Sequence, residues 1–170
     1  LAAYGQSGDV FRFYEINPAV VELARGHFTY LKDSAATVEV AVGDARLVLE
    51  REPPQNFDVL LVDAFSSDAI PVHLLTAECA DIYRRHLRPD GLLLFHISNR
   101  SVDLWPVTRA LAARLGWSAR RVTTPGEEAT GTNRSTWVVL SAGGTPDPGP
   151  GSLLWTDDFS SLWRVLRFGP

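Results

Sequence analysis

An apolar run that ends on two acids spans Phe57-Asp58-Val59-Leu60-Leu61-Val62-Asp63-Ala64-Phe65-Ser66-Ser67-Asp68. Residues 59–62 do not alternate between apolar and polar, which is typical of a strand buried on both faces in a parallel sheet covered by helices. Ligands of such sheets bind outside the carboxyl ends of the strands. Asp63 comes directly after this strand, so we expect it to lie in a ligand site.

Two further predicted strands also end on acids. Residues 10–14 run into Glu15, and residues 38–42 run through Gly43 into Asp44. The carboxyl ends of parallel strands meet at one edge of a sheet. The sequence therefore predicts a negatively charged site at one edge of a single sheet.

The composition is typical of one globular domain. The chain has 170 residues, 45% of them hydrophobic and 21% charged, and a net charge of −4. No basic face is evident, which argues against nonspecific nucleic-acid binding. No apolar run approaches the roughly 20 residues of a membrane span, and no signal peptide is visible. The single cysteine, Cys79, cannot form an internal disulfide. We therefore expect a cytoplasmic location and no nucleic-acid partner.

Strand-like and helix-like segments alternate along the chain, which predicts an α/β fold with a doubly wound, mostly parallel sheet. The predicted strands cover residues 10–16, 37–42, 57–62, 92–97, 117–123 and 136–140. The predicted helices cover residues 18–27, 46–51, 77–87, 107–115 and 159–168. Residues 89–91 (Pro-Asp-Gly) are predicted to form a turn, and the last two strands, joined by a loop, are expected to be antiparallel.

The start of the chain lacks a feature that this fold ordinarily has. A glycine-rich loop follows the first strand in folds of this kind, and the sequence has no Gly-x-Gly-x-x-Gly. Residues 1–5 instead resemble the helix that would follow such a loop, and the sequence contains no methionine. We therefore expect the first strand and its loop to lie upstream of Leu1. The sheet edge left open would favour self-association into a homo-oligomer.

Glu15 and Asp44 are candidate residues of a nucleoside site. An acid that ends a strand in this fold commonly accepts hydrogen bonds from both ribose hydroxyls, a role that Glu15 fits. The alternative is a solvated carboxylate that caps the helix beginning at Pro18. Asp44 follows a glycine that allows a ligand close to the backbone, so Asp44 and Ala45 could contact an adenine. The alternative interpretation is that Asp44 is the N-cap of the helix that begins at Ala45. Capping and adenine contact are compatible with each other.

Asp63 and Asp68 are candidates for acid–base chemistry. Neighbouring carboxylates raise one another's pKa, so one of them can act as a base near neutral pH. The alternative interpretation is that Asp63 is an ordinary turn residue and Asp68 an ordinary loop residue. His96 ends a strand at the same edge and His73 lies near the acids in sequence; each could bind substrate or be structural. The histidines lack metal-ligand spacing, so we expect no metal site. The five tryptophans are predicted to be core and lid residues.

Five motifs together resemble the spermidine synthase-like family. They are Tyr14-Glu15-Ile16-Asn17-Pro18, Gly43-Asp44-Ala45-Arg46, Asp63-Ala64-Phe65-Ser66-Ser67-Asp68-Ala69-Ile70-Pro71-Val72-His73-Leu74, His96-Ile97-Ser98-Asn99-Arg100 and Trp155-Thr156-Asp157-Asp158. The resemblance covers residues 1–140 and the last of these motifs. It implies the class I methyltransferase fold, which has seven strands and a reversed final hairpin.

The resemblance also implies aminopropyl transfer from decarboxylated S-adenosylmethionine to a polyamine or another amine. An acid like Glu15 holds the ribose of the donor, and an acid like Asp44 contacts its adenine. The loop with Asp63 and Asp68 binds and deprotonates the amine, while His73, His96 and Asp157 are assigned to substrate contacts. The family loop is a tighter Asp-x-x-Asp, and we match Asp63 with the family base.

Two alternatives to this function remain open. One is a methyltransferase that uses S-adenosylmethionine, although no Asn-Pro-Pro-Tyr-like loop follows the third strand. The other is a non-catalytic domain that binds a nucleoside or a polyamine. Similar bacterial proteins include some fused to transporter-like segments, so a membrane-attached parent is also compatible with the resemblance.

We expect three segments along the chain. A nucleoside-binding α/β domain covers residues 1–142, a linker rich in glycine and proline covers residues 143–151, and a helical extension covers residues 152–170.

Overall fold

The computed structural model describes residues 1–64, 70–99, 101–127, 129 and 131–167. Its strands are β1 (Val10–Glu15), β2 (Thr37–Val42), β3 (Phe57–Val62), β4 (Leu87–His96), β5 (Ser118–Thr124) and β6 (Ser135–Ser141). Its helices are α1 (Pro18–His27), α2 (Ala45–Arg51), α3 (Ala77–His86) and α4 (Trp105–Leu115). The chain divides into two compact units, Leu1–Glu52 and Pro53–Pro170.

The first unit contains a parallel pair of strands and their helices. β1 and β2 are paired in register from Val10 with Thr37 to Glu15 with Val42. Asn17 begins α1, because its side chain accepts a hydrogen bond of 3.0 Å from the amide of Ala19. Pro18 occupies the first helical position, where no amide hydrogen is needed. These local signals explain why a helix follows the strand directly.

The second unit contains a four-stranded sheet in the order β3-β4-β6-β5. β3 and β4 are parallel, whereas β6 is antiparallel to both β4 and β5, so the predicted antiparallel hairpin at the end of the sheet is confirmed. Thr76 caps α3 through the amide of Cys79, and α4 ends at Gly116, whose φ of 74° is left-handed. The largest fully buried side chains of this unit include Trp155, Tyr83, Phe95, Leu75, Leu93, Leu104, Leu111 and Leu140.

The prediction of one continuous sheet is wrong for the described residues. β1 pairs with β2, and β3 pairs with β4, so the strands form a two-stranded sheet and a separate four-stranded sheet. Glu15 therefore ends β1 and Asp44 follows β2 in one sheet, whereas Asp63 follows β3 in the other. The α/β class and the mixed, mostly parallel core agree with the prediction.

Strand β3 is not buried on both faces along its whole length. Leu60 and Val62 are buried, whereas Val59 is 50% exposed. Side chains two residues apart share a face of a strand. The face with Leu60 and Val62 therefore packs into the core, and the described residues leave the other face open at Val59.

The segment at residues 89–91 lies inside β4, so the predicted turn there is wrong. The pairing of β3 with β4 starts at Phe57 opposite Leu87 and shifts register before Val59 pairs with Leu92. Gly91 allows this irregular pairing, because a Cβ at that position would lie 2.9 Å from the carbonyl oxygen of Phe57. A Pro-Asp-Gly sequence therefore forms an irregular strand start rather than a free turn.

The C-terminal segment forms one short 3₁₀ turn, Leu162–Val165, rather than the predicted helix over residues 159–168. Its backbone is bonded to other elements: the carbonyl of Trp155 accepts from the amide of Ala77 at 2.8 Å, and the carbonyl of Val165 accepts from Asp103 at 2.7 Å. These bonds tie the segment to the start of α3 and to the residues before α4, and the Trp155 side chain is fully buried. The expected boundaries at residues 142 and 151 stay predictions.

The helices of the described residues are short. The longest of them, α4, has 11 residues, about half of what a membrane span requires.

Candidate functional site

Asp63 and His96 form a hydrogen-bonded pair at the carboxyl ends of β3 and β4. Val62 of β3 pairs with Phe95 of β4. Asp63 and His96, the residues that come next after them, therefore also lie side by side. His96 Nδ1 lies 2.7 Å from Asp63 Oδ1. The Asp63 side chain is 50% exposed and that of His96 is 24% exposed, so the carboxylate is the more accessible member of the pair.

Trp137 packs against the other side of this pair. It is the register partner of His96 on β6, and the two rings stack with centroids 4.5 Å apart and planes 18° apart. His96 Nε2 is buried and has no hydrogen-bond partner among the described residues. No motif in the sequence predicts Trp137 as part of this site. The predicted antiparallel hairpin could have indicated Trp137, because the hairpin brings the start of β6 beside the end of β4.

Glu15 and Asp44 lie at the ends of neighbouring strands in the first unit. The amide of Gly43 donates to the carbonyl oxygen of Glu15 at 2.9 Å, which ties the two strand ends together. Glu15 Oε1 accepts from the amide of Asn17 at 2.8 Å, and Asp44 Oδ1 accepts from the amide of Leu47 at 3.1 Å. Asp44 is therefore the N-cap of α2, whereas Glu15 binds the backbone amide of Asn17, the residue that caps α1.

The bond from Asn17 uses one oxygen of the Glu15 carboxylate. The nucleoside-binding roles of Glu15 and Asp44 are compatible with these backbone bonds and stay predictions. Ala45 is the first residue of α2 and is half-buried beside Asp44.

The described residues beside Glu15 enclose a cavity of about 100 Å³. Its lining is mostly apolar and consists of Phe13, Tyr14, Glu15, Val20, Val21, Ala24, Tyr30, Leu31 and Val40. Pockets that hold a drug-sized ligand range from about 300 to 1,000 Å³. At this volume the cavity by itself holds only part of such a ligand.

A charged network occupies the opposite face of β1. Arg12 binds Glu39 and Glu52, and the hydroxyl of Tyr14 donates to Glu52 Oε2 at 2.8 Å. Glu52, and then Glu39, hold the pKa of Arg12 above its ordinary value. Burial, together with the bond to Glu52, raises the pKa of Tyr14 to about 12. These groups satisfy one another within the first unit.

His73 and Asp157 are the remaining substrate candidates among the described residues. His73 is exposed in a 3₁₀ turn, Val72–Leu74, and Asp157 is exposed with its amide bonded to Glu78 Oε2 at 3.0 Å. Asp68 lies outside the described residues. The substrate roles of His73, His96 and Asp157 stay predictions. The described residues contain no cluster of three or more His, Cys, Asp or Glu side chains arranged to hold a metal ion.

Comparison with known proteins finds distant relatives of this chain among the polyamine aminopropyltransferases. No family model matches the sequence. A stretch of 82 residues is 37% identical to the polyamine aminopropyltransferase of Vibrio vulnificus and covers 47% of this chain. The chain is a distant relative of the spermidine synthases, or polyamine aminopropyltransferases. The matched stretch spans 27% of that polyamine aminopropyltransferase, about a quarter of its length.

Solved spermidine synthases have the same fold. The probable spermidine synthase of Corynebacterium glutamicum matches with a TM-score of 0.61 at 21% identity, over 89% of this chain and 64% of that one. A spermidine synthase in complex with the transition-state analogue AdoDATO matches with a TM-score of 0.52 at 16% identity, over 86% and 53% of the two chains. The fold is the one shared by S-adenosylmethionine-dependent methyltransferases.

Proposed function

We propose that this chain carries the core of an aminopropyltransferase that acts on a small amine. The observation that carries the proposal is the carboxylate of Asp63, half-exposed at the end of β3 and fixed by His96. An exposed carboxylate attracts a cationic amine and can accept its proton. The distant sequence relationship to a polyamine aminopropyltransferase supports this reaction over the others that a strand-end acid can serve.

The donor in this proposal is decarboxylated S-adenosylmethionine. Its ribose is bound by Glu15 and its adenine by Asp44 and Ala45, at the neighbouring ends of β1 and β2. One spermidine synthase with this fold was solved with AdoDATO, a transition-state analogue, which supports a nucleoside donor. No metal takes part, because the sulfonium already carries the positive charge that makes its carbon electrophilic.

The chemical step joins the amine nitrogen to the methylene carbon beside the sulfonium. Asp63 first takes a proton from the ammonium group, which leaves a nitrogen lone pair for attack. The new C–N bond forms as the C–S bond breaks, and methylthioadenosine leaves with the electron pair of that bond. Asp68 and Asp157 add negative charge for a polyamine, and His73 adds a polar contact. Most of the rate enhancement comes from holding the amine and the sulfonium in line.

The test is product formation by the full chain, followed by mass spectrometry with putrescine or another amine as acceptor. Decarboxylated S-adenosylmethionine should give an aminopropylated amine. A methylated product with S-adenosylmethionine would instead assign a methyltransferase. Binding of methylthioadenosine or amine without turnover on either donor would assign a binding domain and overturn the proposal.

Asp63→Asn keeps the size of the side chain and should lower kcat by about 10²–10⁴-fold, with donor binding little changed. The matched control is Asp90→Asn, because Asp90 lies at the opposite end of the sheet, bonded to Arg88. Asp68→Asn should mainly raise the KM of the amine. If Asp68→Asn lowers kcat and Asp63→Asn does not, Asp68 rather than Asp63 is the base.

A further inference from the structure

The hydrogen bond between Asp63 and His96 fixes the tautomer of the imidazole. An ionised carboxylate is only an acceptor, so at 2.7 Å the hydrogen must lie on His96 Nδ1. The stacked ring of Trp137 holds the imidazole plane at 18° to its own. Both contacts come from residues adjacent in the register of the sheet, so the backbone determines where the imidazole lies.

The exposure of the two groups decides which of them meets a substrate. Asp63 is 50% exposed, whereas His96 Nε2 is buried and has no partner among the described residues. A proton acceptor must come within hydrogen-bond reach of the proton that it takes. The buried Nε2 does not meet this condition in the observed conformation, and the second oxygen of Asp63 is the group that an amine can reach.

We propose that His96 is a positioning residue, whose Nδ1–H holds one oxygen of Asp63 so that the other oxygen faces the amine. The inference rests on the proposed function, in which Asp63 is the base. A free aspartate can rotate its carboxylate, and the bond to a ring clamped by Trp137 removes that freedom. Small displacements of a catalytic group are costly, since about 1 Å of misplacement can lower a rate by about 100-fold.

Two substitutions of His96 separate the hydrogen bond from the shape of the ring. His96→Asn puts an amide nitrogen close to the position of Nδ1 and keeps the donor to Asp63. His96→Phe keeps an aromatic ring for stacking on Trp137 and removes the donor. We expect kcat of His96→Phe to fall by up to about 100-fold with little change in the KM of the amine. His96→Asn should recover most of that loss.

Two kinetic outcomes overturn the inference. One is a His96→Phe variant that turns over like the wild type, which would make the bond dispensable. The other is a His96→Asn variant as slow as His96→Phe, which would mean that the reaction needs the imidazole itself. Cooperative urea unfolding of both variants, with midpoints close to that of the wild type, checks that each is folded.

A measurement without turnover separates this inference from the proposed function. Nitrogen-15 NMR of the imidazole should show the hydrogen on Nδ1 in the wild type and a shift toward the Nε2–H tautomer in Asp63→Ala. If the wild type carries its hydrogen on Nε2, the positioning inference is wrong, whatever the activity. If the Nδ1–H tautomer is present and neither donor is turned over, the proposed function fails and the hydrogen bond stands as a structural one.

Discussion

Acids follow parallel strands in both units of the molecule, but they are held in different ways. In the first unit, Glu15 and Asp44 accept hydrogen bonds from backbone amides at the starts of α1 and α2. In the second unit, Asp63 is held by a side chain, His96, from the neighbouring strand. The same sequence signature, an acid after an apolar run, therefore leads to a helix cap in one place and to a paired, half-exposed carboxylate in the other.

The two units also differ in how they bury apolar residues. Among the described residues of the first unit, the buried apolar ones are Ala2, Val21 and Leu49, while Ile16 and Phe28 are more than half exposed. The second unit has a continuous core that includes Trp155 and Phe95, both fully buried. Burial of apolar area is the main source of stability, so the second unit should dominate the free energy of unfolding.

The largest expected effect of a substitution lies in that core. Trp155→Ala should lower the free energy of unfolding by about 3–5 kcal/mol, because it opens a cavity in a fully buried site. Trp163→Ala is the matched control: Trp163 is 77% exposed, and the change should stay within about 0.5 kcal/mol. Urea unfolding measures both. Similar losses from the two variants would contradict the burial of Trp155 in the core of the second unit.

A smaller effect should separate the backbone bond from ligand binding at Glu15. Glu15→Gln removes the charge while its amide oxygen can still accept from Asn17, so the stability should change little. Binding of methylthioadenosine should weaken by roughly ten-fold or more, since a hydrogen bond to a charged group contributes about 1.5–3 kcal/mol. Glu22→Gln, on the exposed side of α1, is the control. Unchanged affinity by calorimetry would reject the ribose role and leave only the bond to Asn17.

The smallest effect concerns the pH dependence of the first unit. The pKa of Tyr14 is raised to about 12 by burial and by the bond to Glu52, whereas an unfolded tyrosine titrates near about 10. The folded state therefore binds the phenolic proton more tightly. This stabilisation is complete below about pH 10 and is lost as the pH rises toward 12.

Near-ultraviolet absorbance of tyrosinate should show this late ionisation in the wild type and not in Tyr14→Phe. Tyr4→Phe, at a site 84% exposed, should leave the late step in place. A titration of Tyr14→Phe that retains the late step would show that another group is responsible.

Local signals in the sequence were sufficient for much of the fold. Asn17-Pro18 and Thr76 determine where α1 and α3 begin, because a cap and its helix lie within a few residues of each other. The order of strands and helices, the reversed final hairpin and the strand-end positions of Glu15, Asp44 and Asp63 follow from the same kind of pattern.

The tertiary structure decided what those residues contact. The bond between Asp63 and His96 joins residues 33 apart in the chain, and the stacking on Trp137 depends on the pairing of β4 with β6. The pattern of a single strand does not specify the register between strands. The backbone bonds of the C-terminal segment to Ala77 and Asp103 likewise overrode its helical pattern. The sequence thus determined the elements and the acids, and pairing between distant segments determined the site, because such pairings depend on packing that no local signal contains.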